Sequence, residues 1–104
     1  MGVDAFIPAR VAVLAAMKSV EPDVPIARVE VLPNNTYTMD VFALGYLSKA
    51  ASTRHPVPLD EMPEWVLHTI SMLRIADKDV TIPGLGYKVS DTLYYIFVKE
   101  DAHA

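Results

Sequence analysis

The segment LYYIFV, residues 93–98, decides the fold. It consists of six consecutive apolar or aromatic residues, a composition typical of a buried β-strand. Because side chains alternate along a strand, they divide between its two faces. One face carries Tyr94, Ile96 and Val98, and the other carries Leu93, Tyr95 and Phe97. Each face needs an apolar cover, which either the helices of the same subunit or another molecule must supply.

The first half of the chain predicts a helix, a strand and a second helix. Residues 9–20 are rich in helix formers, and the helix should end before Pro22. The segment IARVEVL, residues 26–32, alternates as a half-exposed strand with one slip near Ala27. Residues 36–43 are ambiguous, because TYTMDVF alternates like a strand. The segment 40–51 nevertheless has helical spacing, with Asp40 as its N-cap, and we expect a helix there.

The second half predicts another helix and then strands. Residues 63–76 carry apolar side chains in nearly every direction, which is typical of a central helix. Residues 80–89 and 92–98 read as strands, with turns at 83–84 and 90–91. The fold prediction is a single α+β domain spanning residues 1–104, with about three helices packed on a small, mainly antiparallel sheet. It ends in a C-terminal β-hairpin or meander, and its element order is also that of a winged helix.

Composition narrows the classes of function. The chain has 104 residues, of which 52% are hydrophobic, and a globular chain of this size buries only about two-thirds of its unfolded surface. Apolar area is therefore left for a partner. The net charge is −4 and the nine basic residues are scattered, which argues against nucleic acid as a partner. The lack of cysteine excludes disulfides, thiolate zinc sites and cysteine nucleophiles.

The motifs of common active sites and cofactor sites do not occur. The three histidines, at 55, 68 and 103, do not have the spacing of a helical zinc site. The segment that begins at Asp77 starts like a calcium loop, but Ile82 and Lys88 replace the glycine and glutamate that it requires. We therefore predict a protein that is not an enzyme and has no catalytic, cofactor-binding or metal-binding residues.

The longest apolar stretch near the N-terminus, residues 11–17, is far too short to cross a membrane. No membrane association is expected, and the predicted location is cytoplasmic.

These observations predict a small protein-binding module that acts as a regulator or inhibitor. It would occupy the surface of a partner protein or associate with itself as a homodimer, and its small size fits products of phages or mobile elements. Aromatic and large apolar residues dominate protein interfaces. The predicted partner-binding residues are Trp65, Tyr87, Tyr94, Ile96 and Val98.

Two alternatives remain at this stage. The first is a winged-helix-like transcriptional regulator that binds DNA, although Arg74 is the only arginine or lysine of the helix that would read DNA. The second is a small enzyme whose site is assembled from distant residues, such as His55 or His68 beside a carboxylate.

Overall fold

The computed structural model describes residues 2–42, 49–53 and 55–98. Over these residues the fold is α+β, with two α-helices and an antiparallel sheet of seven strands. The helices are α1 (Gly2–Val20) and α2 (Glu64–Arg74), and a short 3₁₀ helix (Leu59–Glu61) precedes α2. The strands are β1 (Ile26–Leu32), β2 (Thr36–Phe42), β3 (Lys49–Ser52), β4 (Val57–Pro58), β5 (Thr81–Ile82), β6 (Gly86–Lys88) and β7 (Leu93–Phe97).

The sheet is built around the pair β1 and β7. The strand order is β3-β2-β1-β7-β6-β5, and β4 also pairs with β2. All the pairings are antiparallel. A tight turn at Asn34 and Asn35, both with positive φ, joins β1 to β2, a conformation that asparagine tolerates well. Strand β7, the last strand within the described residues, lies between β1 and β6 and is therefore a central strand.

The two helices cover opposite faces of the sheet. On one face, Tyr94 and Ile96 of β7 pack with Ala27 and Val29 of β1 beneath the buried side of α2. On the other face, residues of α1 cover the opposite side of the same strands, in a cluster of Leu14, Met17, Ile26, Phe42, Tyr95 and Phe97. A large side chain that is fully buried contributes about 1.5–3 kcal/mol. Both faces of β7 are therefore covered by helices of the same subunit, and no second molecule is needed to cover them.

The predictions of α+β class, an antiparallel sheet and a C-terminal meander are confirmed, whereas the number of helices is lower than expected. Residues 36–42 and 49–52 are strands β2 and β3 instead of parts of a helix at 40–51. The remainder of that predicted helix, residues 43–48, lies outside the described residues. Backbone pairing along the whole of β1 stabilises β2 as a strand, which outweighs its helical spacing. The element order is consequently not that of a winged helix.

Three smaller differences concern the elements that were predicted correctly. Helix α1 begins at Gly2 rather than near residue 9, although it ends at Val20 as expected. Strand β1 shows no slip at Ala27, because its first half is buried on both faces. Helix α2 is not central, since it packs on the sheet with one side only.

Gly86 is needed where β6 meets β7. It has φ of +150°, and a Cβ atom there would collide with the carbonyl oxygen of Tyr95 and lie 2.7 Å from the Cα atom of Ile96. These are backbone atoms of β7, which cannot move without breaking the sheet. Gly84, in the preceding turn, has φ of +80° and open space around the same position.

We predict that Gly86→Ala lowers the free energy of unfolding by about 3 kcal/mol, since it combines backbone strain with a backbone collision. Gly84→Ala is the matched control, and it should cost only about 1 kcal/mol for its positive φ. Urea denaturation followed by circular dichroism measures both values. Equal losses for the two variants would contradict the close approach of β6 to β7.

A candidate interaction surface on helix α2

Helix α2 has a buried side and an exposed side. The buried side consists of Val66, Thr69, Ile70 and Leu73, which face the sheet. The exposed residues follow the opposite side at helical spacing and extend to the C-cap, Ile75. We call this set the outer α2 surface: Glu64, Leu67, His68, Ser71, Met72, Arg74 and Ile75.

The outer α2 surface contains three exposed apolar side chains among its polar ones. Leu67 is 50% exposed, Met72 is 43% exposed and Ile75 is 90% exposed. Val80, in the segment that follows the helix, is 51% exposed. Among residues 10–42, 53 and 55–98, whose side chains the structure describes, the other large hydrophobic residues that are exposed are Val11 and Val20 of α1. Single exposed apolar residues are ordinary, but a cluster on one helix face is a feature of interaction sites.

A partner can cover the centre of the outer α2 surface without leaving a hydrogen-bond donor unsatisfied. Ser71 lies between Leu67 and Ile75 along the helix, and its hydroxyl donates a hydrogen bond to the carbonyl oxygen of Leu67 at 2.8 Å. The donor is thus satisfied within the helix. A partner that covers Ser71 would leave no hydroxyl hydrogen without an acceptor, which is the main penalty of burying a polar group.

Opposite charges mark the two ends of α2. Glu64 lies in the first turn and Arg74 in the last turn, an arrangement that the helix macrodipole favours. Asp60 and Glu61 lie before the helix in the 3₁₀ segment, and the exposed Lys78 follows it. The N-terminal end of the surface is therefore acidic, whereas its C-terminal end carries charges of both signs, because the exposed Asp77 and Asp79 flank Lys78.

Lys88 holds the C-terminal end of α2. Its side chain is buried beneath the helix end, and Nζ donates hydrogen bonds to the carbonyl oxygens of Arg74, at 2.8 Å, and Ala76, at 3.3 Å. Nζ also lies 3.2 Å from Oδ1 of Asp91. The last carbonyls of a helix have no partner within it, and a lysine that approaches them from the sheet both satisfies them and complements the macrodipole.

A shallow depression of about 400 Å³ adjoins this end of the helix. It is lined by Ala76, Asp77, Lys78, Lys88, Ser90 and Asp91. Its two acidic residues are Asp77, from the segment that resembles a calcium loop only at its start, and Asp91, from the turn before β7. Lys88 already donates hydrogen bonds to the carbonyl oxygens beside them. The lining contains neither His55 nor His68. Among the described residues, no group of three histidine, aspartate or glutamate side chains is arranged to hold a metal ion.

The histidines do not converge on a site within the described part of the chain. His55 is exposed in the loop before β4, and His68 is exposed on α2, one turn after Glu64. His103 lies outside the described residues.

The five predicted partner-binding residues do not form one surface. Tyr94 and Ile96 are 0% exposed in the core, because β7 is a central strand, and they present no area to a partner. Val98 and Tyr87 are half-buried, on the α2 side and the α1 side of the sheet respectively. Trp65 is half-buried at the margin of the outer α2 surface, one helical repeat from Met72.

Sequence reasoning missed Leu67, Met72 and Ile75 as candidates. The signal was present in the apolar residues that surround α2 on all sides, but it was read as evidence that the helix was central.

The hydroxyls of the buried Tyr94 and Tyr95 have polar partners. The hydroxyl of Tyr94 donates to the carbonyl oxygen of Asp91 at 2.6 Å. Burial raises the pKa of Tyr95, and a hydrogen bond and the positive charge of Arg28 oppose this rise. Burial likewise raises the pKa of Tyr94. These groups therefore support the fold in their neutral form.

No protein-family model, curated protein or solved structure matches this chain. Within the part of the chain that the structure describes, neither helix combines the length and apolar character that crossing a membrane requires.

We predict that Lys88→Met lowers the free energy of unfolding by about 2 kcal/mol, because two helix-end carbonyls lose a charged donor. Lys78→Met, at an exposed position nearby, is the control and should change stability by less than about 0.5 kcal/mol. Chemical denaturation of both variants provides the comparison. If Lys88→Met were as stable as the control, Lys88 would not support the end of α2.

We also predict a loss of stability at high pH. The folded-state pKa of Tyr95 lies above its ordinary value of 10.0, so the unfolded chain releases this proton first as the pH rises. The contribution of Tyr95 to stability is complete below its ordinary pKa, which applies to the unfolded chain, and is lost as the pH rises through the folded-state pKa. In Tyr95→Phe, the free energy of unfolding should fall less steeply between about pH 9 and about pH 11 than in the unmodified protein. Parallel slopes in urea titrations across this range would contradict the prediction.

Proposed function

We propose that this chain is a small non-enzymatic protein-binding module, which acts as a regulator or inhibitor by placing the outer α2 surface against another protein. The observation that carries this proposal is the cluster of Leu67, Met72 and Ile75, exposed on a helix whose other side is fully packed. Apolar side chains with polar and charged residues at their margin are common in protein interfaces.

The rest of the described fold offers less to a partner. Helices cover both faces of the central strands. At one side of the sheet the outer strands are β3, with four residues, and β4, with two residues including Pro58; at the other side β5 has two residues and is followed by Pro83. Short edges with prolines disfavour the addition of a strand from another chain. Recognition through a helix face is therefore favoured over recognition through a sheet edge.

The surface also has little rearrangement to undergo when it binds. Four buried residues hold α2 on the sheet and Lys88 holds its end, so the exposed side chains are displayed on a fixed support. A preorganised surface loses less conformational entropy on association. Trp65, at the margin, supplies a residue type that is common among the strongest contributors to binding energy.

The test is a comparison of two double variants. Leu67→Ser with Ile75→Ser removes apolar area from the outer α2 surface, and Val11→Ser with Val20→Ser removes exposed apolar area from α1. The immobilised proteins are incubated with an extract of the source cells and, separately, with the purified chain itself. We expect the α2 variant to retain its partner at least about tenfold less well than the unmodified protein, while the α1 variant retains it normally.

Equal retention of the same proteins by all three forms would contradict a role for the outer α2 surface. Circular dichroism of both double variants checks that the fold is intact, which is expected because every replaced side chain is exposed.

A further inference from the structure

We draw no further inference here: the strongest candidate, the patch of Leu67, Met72 and Ile75 on the outer side of helix α2, belongs to the surface already described, and nothing in the structure shows what covers it.

Discussion

The structure depends on covering both faces of the β1–β7 pair. Strand β7 is apolar on both faces, and β1 adds Ile26 to one face and Ala27 and Val29 to the other, so the pair cannot lie in a sheet with one fully solvated face. Helix α2 covers Tyr94 and Ile96, and α1 covers Tyr95 and Phe97. This requirement explains why the two α-helices of the described residues lie on opposite sides of the sheet, and why β7 lies at its centre.

Helix α2 serves two purposes through opposite sides. Its buried side closes the core, and Lys88 of β6 fixes its C-terminal end through the carbonyl oxygens of Arg74 and Ala76. Strand β6 can sit under the helix in this way because Gly86 lets it approach the backbone of β7 closely. The position of the exposed side therefore depends on contacts made in the sheet. A surface held in this manner keeps its shape whether or not a partner covers it.

Local patterns in the sequence were sufficient for β1, α2 and the β5–β7 meander, where periodicity, turn residues and charge all agreed. They failed at residues 40–42 and 49–51, because leucine, alanine and an N-capping aspartate favour a helix locally, while the edge of β1 was free to pair with a strand. They also failed for the candidate site. A helix with apolar residues on all sides does not reveal which side faces the sheet, and that choice is made by long-range contacts with Val29, Tyr94 and Ile96.

The apolar composition that predicts a contact surface on β7 is better suited to a contact surface on α2. The two faces of β7 are covered by α2 and α1, so exposing its side chains to a partner would require displacing a helix and uncovering the core. A helix satisfies its backbone internally, and its outer side can be covered and uncovered with no change in hydrogen bonding. A partner can therefore bind reversibly to the exposed apolar side chains of Leu67, Met72 and Ile75. The apolar side chains of β7, in contrast, remain buried in the folded protein.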